Sequence, residues 1–221
     1  MLKPLCTALF LFLNLGLFAQ LNSLPKEIHE SDYLNIRDSL LETYAVNKSI
    51  PKKIELQTLL ALSHYPELKS VAIDFKHKKI RTTMACRPQI LSVFRPNKKR
   101  KYIIYINNGH KSKKNICLEH IRFNAKVGVI SHELAHIVDY QNKTGLQIIG
   151  IAFKYSSKKW RSKFEKSIDS IAISHGFGWQ IYDFSNYILS NPEIPEKYKN
   201  YKKKVYYTPS DILFIINNLE K

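Results

Sequence analysis

The sequence predicts an α+β chain, mainly helical, with a small sheet of three strands or more placed ahead of its most informative helix. Apolar residues recur every three to four positions near the N-terminus and through the C-terminal half, which is the spacing of one helix face. Between residues 71 and 107 the pattern changes to short runs of β-branched and aromatic residues bounded by Lys-rich, Pro and Asn-Gly turns, which is the signature of strands. A third observation bounds the domain count. After a short apolar leader about 200 residues remain, enough for one domain with a real core. No repeat, low-complexity tract or linker interrupts residues 20–221.

Residues 1–19 read as a secretory signal: Lys3, then an apolar run from Leu5 to Phe18, then Ala19 before Gln20. The run is about 14 residues, short of the about 20 that a membrane helix needs. The expected location is therefore secreted or periplasmic, with an uncleaved anchor as the alternative. Cys6 lies inside the run without a lipobox around it. Cys86 and Cys117 remain beyond it; an oxidising compartment would let them pair, and two buried free thiols are the other arrangement.

Along the rest of the chain, Ile28 to Val46 and Ile54 to His64 carry helical patterns, separated by Pro51. Val71–Phe75 and Ile80–Cys86, joined through Lys-His-Lys-Lys, suggest a hairpin, and Tyr102–Asn107 a third strand. Either Ile80–Ala85 or Tyr102–Asn107 is expected at the sheet edge. A long helix is expected from Ala125 to Asn142, with Asn124 as N-cap and Gly145 marking its end. Leu146–Tyr155 is unusually apolar and suits a core helix, a lid or a membrane-facing wall. Phe164, Ile168, Ile171 and Ala172 recur at i, i+4, i+7, i+8, and Gly176 closes that helix. Gly178–Phe184 opens another amphipathic segment, and Pro192 and Pro195 mark a loop. Thr208-Pro-Ser-Asp211 reads as a capping-box start for a last helix ending near Leu219.

The chemistry concentrates in Val129–Val138, which contains His132-Glu133-Leu-Ala-His136. Residues four apart lie one helical turn above each other, so the two imidazoles can grip one metal ion. Glu133, about 100° round the helix, can act on a water bound to that ion. Zn²⁺ suits two neutral imidazoles, a third ligand and an open position. Two residues compete for the third place, Glu165 and His175; Asp169, four after Glu165, can orient a bound imidazole. A core helix with two hydrogen-bonded His, and a solvated Glu165/Asp169 face among Lys163 and Lys166, are the plain alternatives.

With these residues the chain resembles the gluzincin metallopeptidases, the thermolysin-like group with His-Glu-x-x-His followed by Glu-x-x-x-Asp. The resemblance covers residues 123–176 and implies a zincin-like domain. It also implies zinc held by His132, His136 and Glu165, Glu133 as general base and Asp169 behind the ligands. An edge strand would hold an extended peptide. The longer metzincin pattern does not follow His136, where the chain continues Ile-Val-Asp-Tyr-Gln-Asn. The expected activity is zinc-dependent hydrolysis of a peptide or protein substrate, with His175, Tyr182 and Tyr140 as candidate oxyanion donors. A zinc-binding envelope protein without turnover, or a basic surface-binding protein with a chance motif, are the rivals.

The net charge is +17, from 35 Lys and Arg against 18 Asp and Glu. Basic clusters at 76–79, 98–101, 111–114 and 197–204 favour an anionic envelope surface as partner, or simply make the protein soluble. No nucleic-acid-binding module is recognisable, so nucleic acid is not an expected partner.

Overall fold

The strands pair in an order that the chain does not follow. In the computed structural model, which describes residues 24–109 and 116–219, β1 (Lys48–Ser49), β2 (Ala72–Lys78), β3 (Met84–Pro88) and β4 (Lys101–Asn107) form one sheet. Its order is β1-β2-β4-β3. β1 and β2 are parallel, as are β2 and β4, while β3 runs antiparallel to β4. The expected hairpin of β2 with β3 is therefore not formed, because β4 inserts between them. The reason is local and tertiary together. β2 runs on through Lys78 and no Asn-Gly or Gly-x pair follows to reverse it tightly. Tyr102, Ile104 and Ile106 on β4 are buried, and so apolar a strand is best satisfied with partners on both sides. Of the two strands considered for the edge, the one at Met84–Pro88 occupies it. The leader expected at 1–19, with Cys6, and the 111–114 cluster lie outside the described residues.

Helices supply most of the remaining chain, giving the α+β class. A short 3₁₀ stretch (Glu30–Ile36) leads into α1 (Arg37–Tyr44), followed by α2 (Glu55–Ser63), whose Leu56, Leu59, Leu60 and Leu62 are buried. α3 (Phe123–Gln141) is the axis of the molecule, packed by β3, α2, α5 (Lys158–Ala172) and α6 (Gly178–Ser190). α4 (Gly145–Lys154), α7 (Glu196–Val205) and α8 (Pro209–Leu219) complete the fold. α5 ends where expected: Gly176 takes φ 89°, a left-handed conformation that glycine adopts without strain, and the chain turns there before α6. The capping box at Thr208 and Asp211 is formed. No described helix is long and apolar enough to cross a membrane.

Several local expectations are corrected. Asn124 does not cap α3 but lies in its first turn, where its Oδ1 accepts the Ile28 amide at 3.2 Å and the Gln180 side chain at 3.1 Å. It thereby fastens the N-terminal segment to α3 and α6. Gly145 does not end α3; it begins α4, behind a Thr144–Gln147 capping box. Cys86 and Cys117 are both buried free thiols rather than a disulfide.

Gly128 fixes how closely α3 and α6 cross. A Cβ there would fall 2.1 Å from the Gln180 carbonyl oxygen and 2.4 Å from its carbon, both backbone atoms that no rotamer change can move. Gly128→Ala must push the helices apart, so it is expected to lower unfolding stability by about 2 kcal/mol. Chemical denaturation measures this directly, and a loss below about 0.5 kcal/mol, the scale of an ordinary surface change, would contradict the close crossing.

Candidate metal centre

α3 carries His132, Glu133 and His136 on its buried middle turns, and α5 lays Glu165 and Asp169 against them. All five side chains are buried, Glu165 to 1% exposure and Asp169 to 3%. The solvated-face alternative for the two carboxylates is thereby excluded. Burial at this level demands partners, since an isolated carboxylate away from water is very costly. Glu165 finds them in the two imidazoles: its Oε2 lies 3.2 Å from His132 Nε2 and 3.6 Å from His136 Nε2. Its other oxygen accepts a hydrogen bond from the Tyr155 hydroxyl at 2.5 Å. Asp169 Oδ1 takes the Nδ1–H of His132 at 2.8 Å, and Asp169 Oδ2 accepts the Tyr207 amide at 3.2 Å. Asp169 thus pins the ring from behind and turns its Nε2 toward Glu165.

The buried His132, His136 and Glu165 group can hold one metal ion, their donor atoms all lying within 4.8 Å of one another. The fit is quantitative. Bonds of about 2.0–2.1 Å to a tetrahedral ion set neighbouring donors about 3.3 Å apart, and the 3.2 and 3.6 Å separations bracket that edge. Glu133 Oε2 and His136 Nδ1 are buried and have no hydrogen-bond partner among the described residues. An unpartnered carboxylate oxygen beside a three-donor cluster leaves room for a further polar species.

Electrostatics follow the geometry. Burial disfavours the charged form of His132, but its hydrogen bonds to Asp169 and Glu165 outweigh this and push its pKa up to about 10. Burial would raise Glu165, yet the two imidazoles hold it well below the usual carboxylate range. Glu133 goes the other way: burial raises it, against the opposing pull of His132 and His136. The cluster therefore favours the ionised form of Glu165 and disfavours that of Glu133.

Of the residues singled out from sequence, His175 is not brought in. Its Nδ1 donates to the Ile171 carbonyl at 2.8 Å, its Nε2 contacts Glu67 at 2.9 Å, and its ring stacks on Tyr65. It lies outside the cluster, ten residues beyond Glu165 along the chain and held against Tyr65 and Glu67 past the end of α2. Tyr182 packs on Trp179, away from the cluster, while Tyr140 stacks on His136 and lines the cleft. Asp139, three residues after His136, pairs with Lys143 at the end of α3. Tyr155, Tyr206 and Lys202 are site residues that sequence reasoning missed. The Tyr206 ring lies 5.7 Å from His132, and Lys202 Nζ sits 3.6 Å above the Tyr206 ring. Burial lowers the Lys202 pKa, opposed by Asp169, Glu165 and Glu133. Only Tyr155 had a local signal, as the polar end of the apolar 146–155 run.

His132, Glu133, His136 and Glu165, with Tyr155 and Tyr206, form the floor of a cleft of about 520 Å³. One wall is β3 from Met84 to Pro88, whose outer edge pairs with no strand among the described residues; the opposite wall is α4 with Ile148, Ile149, Ile151 and Ala152. No family model, curated protein or solved structure matches this chain.

Two measurements test the centre. With Glu165→Ala, metal affinity should fall by more than about 100-fold, whereas Asp169→Asn should cost about 10–100-fold, the range for a residue that orients a ligand; His175→Ala should leave it unchanged. The raised His132 pKa also carries a sign. Its stabilising contribution to the metal-free protein is full below about pH 6.5, the unfolded value, and is lost as pH rises through about 10. A metal needs the unprotonated Nε2, so each ion bound at pH 7–8 should release about one proton, read by titration in weakly buffered solution.

Proposed function

We propose that the chain is a zinc-dependent peptide-bond hydrolase. The observation that carries this is the buried, unpartnered Glu133 oxygen next to a three-donor cluster, since a purely structural metal site closes its coordination and needs no base. Two imidazoles and one carboxylate favour zinc over the hard cations, which prefer all-oxygen sites. A zinc ion in this centre supplies Lewis acidity, acidifying a water and polarising a carbonyl.

The chain's own residues do the rest. Glu133 accepts the proton of the attacking water and returns it to the leaving amine, a shuttle helped by its raised pKa. Asp169 holds the His132 tautomer and ring plane, and Tyr155 holds Glu165, so the donors do not have to reorganise. Tyr206 and Lys202, beside Glu133 on the same wall, are the donors available to a developing oxyanion. The outer edge of β3 pairs with no strand among the described residues and can offer an extended peptide the main-chain groups that Glu133 and Thr82 leave open, while the apolar walls accept its bulky side chains. The likeness to gluzincins in the spacing of Glu133, Glu165 and Asp169 supports the same reading.

Purified native protein and Glu133→Gln should both bind near-stoichiometric zinc, while cleavage of a mixed peptide library should fall by at least about 100-fold in the variant, the usual scale of a lost general base. Zinc without cleavage in the native protein would make this a metal-binding protein without turnover. No metal at saturating zinc would reduce the motif to coincidence.

A further inference from the structure

The cleft, lined at one end by Ile90 and Phe94, is flanked by large apolar side chains that no described residue covers. Ile90, Leu91 and Phe94, on the turn after β3, and Leu146 and Phe153, on α4, are between 71% and 82% exposed. Leu146 and Phe153 are seven apart, so they stand two turns from each other on one helix face. Gly150 lies between them with nothing within 4 Å of a Cβ built on it. Soluble proteins scatter single exposed apolar residues, but a contiguous group of large ones marks an interaction surface.

The turn and α4 are held together as a platform. A Cβ on Gly145 would fall 2.8 Å from the Val93 carbonyl oxygen, so the start of α4 lies directly against the turn. The buried Arg100 guanidinium donates to the carbonyls of Arg95, Tyr140 and Lys143, stitching the turn to the α3–α4 junction. Ser92 bonds the Gln89 and Lys101 carbonyls beneath it. The exposed side chains therefore project from anchored backbone and are not the tips of a loose loop.

Charge identifies the occupant. No Asp or Glu occurs between Asp74 and Glu119, nor between Asp139 and Glu165, the two stretches that supply this face. Arg87, Arg95, Lys98 and Lys99 flank the turn, Lys154 ends α4 and Lys158 and Lys159 follow it, all of them exposed. The nearest acid at the α3–α4 junction, Asp139, is neutralised by Lys143. Large apolar residues ringed by cations without interspersed acids match the interface of an anionic bilayer, where side chains enter the headgroup layer and lysines meet lipid phosphates. A peptide groove or a self-association face has no need of so one-sided a charge.

We propose that this face docks on an anionic phospholipid surface, with Leu91, Phe94, Leu146 and Phe153 entering the interfacial layer and the cleft mouth opening toward the membrane. The docking does not rest on the hydrolase reading and holds equally for the Glu133→Gln protein.

The test uses the full chain and vesicles of equal parts phosphatidylglycerol and phosphatidylcholine, with brominated lipid as a depth quencher. Leu91→Trp and Phe153→Trp place probes in the face; Phe214→Trp places one at a remote exposed apolar position on α8. Against the background of the native Trp160 and Trp179, the first two should shift blue and be quenched, and the third should not. Phe94→Ser or Leu146→Ser should each weaken binding about tenfold, and Lys154→Gln or Lys158→Gln about fivefold, with circular dichroism unchanged. Binding that leaves both face probes unquenched, as through residues 1–19 alone, would overturn the proposal. So would equal binding to pure phosphatidylcholine vesicles. A blue shift that grows with protein concentration without vesicles would assign the face to a second copy of the chain and overturn it as well.

Discussion

The docking of α5 onto α3 is governed by a buried ionic cluster. Two carboxylates and two imidazoles are buried together, and each is costly to bury unless the others are in place. The surrounding apolar contacts, Phe164 on His136 and Ile168 within the core, bring the helices together but do not set their register. Register comes from Asp169 meeting His132 Nδ1 while Glu165 meets the two Nε2 atoms. Sliding α5 by one residue would leave four buried polar groups unpaired. That constraint accounts for the outer supports as well: the Tyr207 amide reaches in from the start of α8, and Tyr155 from the end of α4.

The sheet contributes position more than chemistry. Placing β4 inside leaves β3 as the antiparallel edge, packed against α3 close to Glu133. A strand edge without a partner strand is a liability on an open surface, and here Glu133 and Thr82 already take the Cys86 amide and the Met84 carbonyl. The edge faces a cleft whose far wall is α4, so its remaining hydrogen-bonding capacity is directed at whatever the cleft admits. The tight crossing of α3 and α6 at Gly128 secures the other side of α3, keeping the helix that carries the two imidazoles straight against its neighbours.

Charge and apolar exposure coincide on the same side of the molecule as the cleft. The acids are withdrawn into the floor, where Glu133 and Glu165 serve the cluster, and are missing from the rim. The consequence is a surface that is cationic and greasy around an anionic centre.

Much of the site could be read from the chain itself. His132 and His136 four apart, with Glu133 between them, need only a helix to converge, and helical spacing is a local property. Glu165 and Asp169 were legible as a pair for the same reason, and the start of α8 and the turn at Gly176 because caps and left-handed glycines act within a few residues. Only the tertiary structure brought Glu165 rather than His175 to the imidazoles, since that depends on which turn of α5 lies against α3, over thirty residues away in the chain. The strand order was likewise beyond local reading: β4 displaces β3 from β2 through pairings that close long loops, offset by burying Tyr102, Ile104 and Ile106 on one face. Tyr206 and Lys202 looked like surface residues in a basic run, because their neighbours in sequence are solvated and the cluster they approach lies on other helices. Local spacing specifies which groups can act together; long-range packing specifies which of them do.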